Sequence, residues 1–401
     1  MTEPAPAAVV ADISRRHAVR FIVLLGVVSL FADMTYEGAR SITGPYLALL
    51  GASATVVGFV AGFGELIGYA LRLLSGYVSD RTGRYWAITI LGYCLNLLAV
   101  PLLALTGSWE TAAILIIVER MGRAVRTPAR DAMLSHAGSH TGLGWGFGLH
   151  EALDQVGAVL GPLIIAAVIA FEGGYRLGFA VLAVPAVLAL VILLAARIEY
   201  PRPRDFDLTP PEFTRRGLPR TFWIYLGAVA LIGAGYADFP LVAYHFGKAD
   251  VVPAVWIPLV YALAMATDAV AALLLGRWFD RIGLHAMAVA TIGSAVAAPL
   301  AFLGGPGLAV AGMALWGIGM GAQESIMRAA IAGFAPADRR GTAYGIFNAV
   351  YGVAWFAGSV TLGALYDRSI MALVVASVIL QVAALPVLVW LGRAARPTGT
   401  K

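Results

Sequence analysis

The chain has 401 residues, of which 60% are hydrophobic and only 13% charged, with a net charge of +5 and a mean hydropathy of +0.82. Soluble domains carry about a quarter charged residues, so this composition excludes a water-soluble globule and makes lipid the solvent. The basic excess is scattered over loops rather than gathered in a folded basic domain, which excludes a nucleic-acid binder.

In chain order, the apolar runs predict about twelve spans, near 20–44, 55–75, 86–106, 109–137, 143–170, 175–197, 221–246, 253–275, 286–304, 307–334, 342–365 and 370–393. Each is long enough to cross about 30 Å of hydrocarbon as a helix. The fold class expected is therefore an all-α membrane protein, with twelve transmembrane helices in two pseudo-symmetric six-helix bundles. Residues 1–19 form an expected cytoplasmic tail, 20–197 the first bundle, 198–220 a Pro-rich cytoplasmic linker, 221–393 the second bundle and 394–401 a second tail. The first residues are Ala- and Pro-rich without an apolar h-region, so no cleavable signal is expected. Lys and Arg set the orientation. Arg15, Arg16, Arg20, Arg81, Arg84, Arg202, Arg204, Arg215, Arg216, Arg220, Arg277, Arg281, Arg339, Arg340, Arg393 and Arg396 share one side, whereas Arg176, Lys248 and Arg368 lie on the other. Both termini are expected in the cytoplasm of a bacterial-type cell, in its inner membrane.

Charged residues inside the spans are costly and need a partner or a function. In the first span Asp33, Glu37 and Arg40 are spaced i, i+4, i+7 and share a face with Tyr36 close by. In the second span Glu65 and Arg72 lie two turns apart. In the fourth, Glu119, Arg123, Arg126 and Arg130 form a stripe about 16 Å long, flanked by Arg120 and Asp131. In the fifth, His150, Glu151 and Asp154 occupy one turn. The second half is poorer, with Asp238, His245, Asp268, Glu324 and Arg328. A proton carrier has to be a buried acid that titrates near neutral pH, which selects Asp33 and Glu37, then Asp154. Arginine stays charged, so Arg123, Arg126 and Arg130 are expected either to hold an anionic group of a substrate or to counterbalance these acids. His150, Glu151, Tyr36, Asp238, Asn348 and Tyr351 complete the expected substrate-facing set.

No nucleotide-binding Gly-rich loop is present and no soluble domain fits between the spans, so neither an enzyme nor a cofactor is expected. The stretch His150–Asp154 approaches a zinc-binding His-Glu-x-x-His but ends in Asp, and no metal site is expected. The lone Cys94 precludes a disulfide within the chain.

Two segments repeat 200 residues apart: Gly76-Tyr77-Val78-Ser79-Asp80-Arg81-Thr82-Gly83, followed by Arg84, and Gly276-Arg277-Trp278-Phe279-Asp280-Arg281-Ile282-Gly283. A duplicated polar turn in two hydrophobic halves marks two copies of one membrane unit. The first half also aligns Glu37 with Asp238. In topology and in these two turns the chain resembles a transporter of the major facilitator superfamily over essentially its whole length, although Leu284 replaces the final basic residue of the second turn. The fifth span, with Gly148, Gly157 and Gly161-Pro162, is similar to the motif of proton-coupled exporters in that family, apart from Ile165-Ala166 where Gly-Gly is usual. The resemblance implies alternating access, with Gly76, Asp80, Arg81, Gly83, Arg84, Asp280, Arg281 and the fifth-span Gly148, Gly157, Gly161 and Pro162 in gating. It implies proton-coupled export of a small organic molecule by a monomer in the lipid bilayer, and the buried arginines point to an anionic one. Proton-driven import of an organic anion is the alternative, and a transporter-fold sensor a weaker one.

Overall fold

The computed structural model describes residues 6–141, 143–171, 173–201, 217–335 and 340–394. Most of the expected linker, including Arg202, Arg204, Arg215 and Arg216, lies outside the described residues, as do Arg339, Arg396 and the chain ends. The described chain is helical throughout. We number the spans α1 (Pro6–Leu49), α2 (Ala54–Thr82), α3 (Tyr85–Leu102), α4 (Trp109–Thr141), α5 (Leu143–Ala170), α6 (Gly174–Val181 and Ala183–Glu199), α7 (Arg220–Gly235 and Phe239–Lys248), α8 (Trp256–Ile282), α9 (His285–Leu303), α10 (Pro306–Ala322, continuing to Phe334), α11 (Arg340–Arg368) and α12 (Ile370–Ala394). Ten of them are long and apolar enough to cross a bilayer on hydropathy alone. The fourth carries the arginine stripe, and the tenth leaves regular α-geometry at a π-turn, Gln323–Met327; with them the spans number twelve.

Local chemistry sets the ends. Ser53 caps α2, its hydroxyl accepting from Val56 N at 3.3 Å, which satisfies one of the orphan donors of the first turn. The last glycine of each repeated turn ends a helix. Gly83 and Gly283 both have φ of 61° and donate to Ser79 O at 2.7 Å and to Phe279 O at 2.8 Å. That left-handed region is cheap for glycine and strained for other residues. The repeat is thus a helix-stop device before it is anything else.

The two halves meet mainly through α2 with α11, α1 with α7, and α5 with α8. At the arginine-poor end the contacts leave no room for side chains: a Cβ on Gly44 would lie 2.0 Å from Pro240 O, and one on Gly58 2.3 Å from Ser359 O. There Asp367, on the last turn of α11, receives Ala54 N at 3.1 Å, Thr55 N at 2.8 Å and the Thr55 hydroxyl at 2.6 Å. An acid of one half therefore caps a helix of the other. Toward the arginine-rich end, Glu151, Glu324 and Arg328 are exposed, as are Asp80, Arg81, Asp280 and Arg281. The molecule is closed at its arginine-poor face and open toward its arginine-rich face.

Candidate functional site

The charged stripes of α1 and α4 converge on one network between the halves. α1 contributes Asp33, Tyr36, Glu37 and Arg40, all buried, as their shared helical face requires. Gly157 and Gly161 of α5 allow the approach, since a Cβ on Gly157 would meet Leu30 O at 2.3 Å and Asp33 Cβ at 3.0 Å, and one on Gly161 Met34 O at 2.3 Å. Small residues at these positions let the backbones touch. Gly148 makes no such approach, so only part of the fifth-span glycine pattern serves packing in this state.

Arg40 is the hub at the arginine-poor end of the network. Its Nη2 donates to Asp238 Oδ1 at 2.8 Å and lies 3.9 Å from Glu65, while Nη1 is 4.0 Å from Glu37. Asp238 sits where α7 breaks between Gly235 and Phe239, and Trp355 Nε1 donates to its second oxygen at 3.4 Å. The acids aligned by the repeat, Glu37 and Asp238, thus share one arginine. Tyr261 of α8 donates to Glu37 Oε2 at 2.5 Å, a second link across the halves. Arg120 pairs with Glu65 at 2.9 Å and with Glu119 at 3.3 Å, and Asn96 donates to Glu119 Oε1 at 2.7 Å.

The rest of the α4 stripe faces α1 and α3. Arg123 lies 3.8 Å from Glu37 and stacks over Tyr36 at 4.3 Å; with 28% of its side chain exposed, it opens to the space between the halves. Arg126, 1% exposed, stacks over Tyr93 at 4.2 Å and is 4.0 Å from Asp33. That distance leaves Asp33 Oδ1 and Arg126 Nε and Nη1 without hydrogen bonds. Arg130 bonds Asp131 at 2.8 Å and Ser29 Oγ at 3.0 Å; Ser29 in turn lies 3.2 Å from His150 Nε2, and His150 is 3.6 Å from Asp154. The fifth-span cluster therefore reaches the stripe through a serine. Its outlier is Glu151, exposed and bonded by Gln155 at 3.4 Å.

The expected substrate-facing residues divide accordingly. Arg123, Tyr36 and Glu151 line or adjoin the gap. Arg126 and Arg130 are enclosed within the first half, and Asp238 is closed off by Arg40. Tyr351 is buried, donating to Gln323 at 2.8 Å and packing edge-on to Tyr69; Asn348, one turn away, is half-buried. Among the gating residues, Asp80 accepts from Tyr85 at 3.3 Å and Arg81 donates to Tyr77 at 2.8 Å. Gly76 lies against Pro128, where a Cβ would sit at 3.5 Å, while nothing crowds Gly276. Pro162 is inside α5, and Arg84 is exposed. The sequence places Arg40 in the first-span stripe and Tyr261 among the aromatic residues near the cavity, but assigns neither its partner across the halves. Arg40 carries a signal, its i+3 spacing from Glu37, whereas Tyr261 stands out only as one of several aromatic residues near the expected cavity.

Twelve spans, two halves joined at one face, and a buried ion network between them define a membrane transporter of small molecules. The chain belongs to the Major Facilitator Superfamily, whose profile matches residues 22–359. It is 45% identical to an uncharacterized protein of Mycobacterium tuberculosis over 91% of each chain. It is 29% identical to an uncharacterized MFS-type transporter of Methanocaldococcus jannaschii, over 88% of this chain and 90% of that one. Its fold resembles that of the nucleoside transporter NupG, with a TM-score of 0.72, 13% identity, and 94% of this chain and 100% of the other covered. It also resembles a POT family transporter in complex with 5-aminolevulinic acid, with a TM-score of 0.74, 13% identity, and 92% and 95% covered.

Proposed function

We propose that this secondary transporter is a proton-coupled antiporter that exports a small organic molecule by alternating access. The observation that carries the reading is the Asp33–Arg126 pair. It is buried, it is separated by 4.0 Å, and it leaves hydrogen-bonding atoms on both partners unsatisfied. A well-made pair would hold the carboxylate ionised; this one lets a proton compete for it. Glu37 and Asp154 extend the route on either side, each already tied to an arginine, a tyrosine or a histidine of the network.

Cargo occupies the gap beside Arg123 and Tyr36, with Glu151, Asn348 and Tyr351 around it. The charge-paired state of Arg126 and Arg130 moves any recognition of an anionic group to Arg123, whose guanidinium is partly open. The two bundles, 20–197 and 221–393, rock about the network as units, joined by the linker 198–220. Asp80, Arg81, Asp280 and Arg281 come together when the arginine-rich face closes. That face is cytoplasmic by the positive-inside rule, which puts both termini inside and the protein, as a monomer, in the inner membrane.

The test uses proteoliposomes enclosing a pH-sensitive dye and a panel of organic anions and neutral compounds. One compound is expected to move protons opposite to itself. Asp33→Asn is expected to abolish that signal while retaining binding of the compound. Proton movement that persists undiminished in Asp33→Asn defeats the reading.

A further inference from the structure

The second half is poorer in buried charge, yet it holds a carboxyl with less compensation than any buried acid of the first half among the described residues. Asp268 on α8 is 3% exposed, its Oδ1 has no hydrogen-bond partner, and none of the ion pairs among the described residues includes it. Asp238 has Arg40, Glu65 and Glu119 have Arg120, and Asp33 has Arg126 at longer range. An ionised carboxylate enclosed in this way without a cation is heavily penalised.

The surroundings are built to accommodate the group. α10 crosses α8 at Gly317 and Gly321. A Cβ on Gly317 would lie 2.1 Å from Ala264 O, and one on Gly321 would lie 2.6 Å from Asp268 O and 3.0 Å from Asp268 Oδ1. Glycine at 321 therefore clears the space in front of the carboxyl. Immediately beyond, α10 departs into the π-turn Gln323–Met327, a distortion that recurs at functional sites because it re-aims side chains. The turn buries Gln323 against Tyr351 and carries Glu324 into the open. The charged and titratable groups that act most strongly on Asp268 are Glu324 from α10, Glu151 from α5, Glu37 and Arg40 from α1, and Tyr236 from α7. Of these, three are acids, and the cation, Arg40, already bonds Asp238.

We propose that Asp268 is a second proton-binding site of the transporter, in the second half, exchanging its proton with the arginine-rich side through Glu324. The ligand is the hydron itself: the carboxyl O–H forms on uptake and breaks on release, with Glu324, one turn beyond Gly321 on α10, the acceptor on the open side. The assignment is independent of the coupling role given to Asp33, and it implies that a transport cycle can move more than one proton.

Infrared difference spectroscopy of the purified, lipid-reconstituted full chain, between acidic and alkaline buffer, reads protonated carboxyls directly. Wild-type protein is expected to show a protonated-carboxyl band that disappears in Asp268→Asn and persists in Asp33→Asn. Persistence in Asp33→Asn separates this site from the coupling reading, whichever way that reading fares. A spectrum of Asp268→Asn identical to wild type overturns the proposal, as does a band whose pH response is abolished by replacing choline with Na⁺, which would make the site one for a metal cation. If Asp268→Asn cannot be purified, Asp268→Glu keeps the carboxyl but displaces it toward α10. It is expected to shift the band, and an unmoved band overturns the proposal equally. Glu324→Gln is expected to slow the appearance of the band after a pH jump without removing it.

Discussion

Arg40 and Asp238 stand 198 residues apart in sequence and meet at 2.8 Å in the interior, one from each half. They form the charged centre of the closed face, and the alternating access proposed for this transporter requires that they part. Breaking such a pair by removing one partner costs about 3–5 kcal/mol, because the survivor is left buried and uncompensated. Here Glu65 and Glu37 stand ready near Arg40, so Asp238→Asn is expected at the lower end, about 3 kcal/mol. Thermal unfolding in detergent measures it. Combining Arg40→Met with Asp238→Leu should recover most of the loss while abolishing transport. Equal destabilisation by the single and double variants would show that the pair is not what joins the halves.

The link between Tyr261 and Glu37 is expected to be a lesser bond of the same closed state. Tyr261→Phe removes one hydrogen bond to a charged acceptor, about 1.5–3 kcal/mol when buried. The ring, stacked on Phe239 at 4.0 Å, keeps its packing. Stability should fall by that amount and transport should survive with altered rate. A variant as stable as wild type would place the Glu37 charge elsewhere in solution.

Gly44 makes a steric prediction. A methyl at this position has nowhere to go, because Pro240 O and Tyr244 N lie 2.0 and 2.8 Å from where it would sit. Gly44→Ala is expected to wedge α1 from α7 and disfavour closure of the arginine-poor face. Transport should drop strongly, and a cysteine introduced at Thr43 should become more reactive to a membrane-impermeant thiol reagent applied at that face. Unchanged reactivity in the Gly44→Ala background counts against the closure described above.

Gly283 makes the opposite kind of prediction. Nothing lies within 4 Å of a Cβ built there, but φ is 61°. Gly283→Ala and Gly283→Asn should each cost about 1–3 kcal/mol from backbone strain alone, since a φ of 61° with a ψ of −142° lies outside the left-handed helical region that Asn tolerates. Thermal unfolding of the two variants checks this; an Asn variant as stable as wild type would contradict it.

The spans were legible because hydrocarbon demands long uncharged runs, and even α4 could be recognised, since its charges kept to one face. The repeated turn was legible for a similar reason: Gly83 and Gly283 stop helices at equivalent places, and a backbone requirement leaves a glycine in the sequence. The breaks were not legible. α7 interrupts between Gly235 and Phe239, where Pro240 in the first turn of the restarted helix is a helix-start signal easily passed over inside an apolar run, and α10 slips into a π-turn with no proline in it to announce the change. Partnerships across the halves were also hidden. Periodicity assigns Arg40 to a face but cannot say that Asp238 waits opposite. It places Arg126 and Arg123 on the same stripe, although Tyr93 and Asp33 enclose the first while the second opens outward to the gap. Asp268 was visible as a charge and invisible as an orphan, since a missing partner is a property of neighbours.

The cap that Asp367 places on α2 has a consequence for how the arginine-poor face responds to its surroundings. Arg40 and Asp238 are dry, and dissolved ions scarcely reach them. The bonds from Thr55 to Asp367 lie at the rim, in contact with water, where salt screens within about 10 Å at 0.1 M. The same doorway thus has a bolt insulated from the medium and a fastener exposed to it. A change in ionic strength at that face loosens the second alone, so the medium there can tune how readily the door begins to open without altering what finally unlocks it.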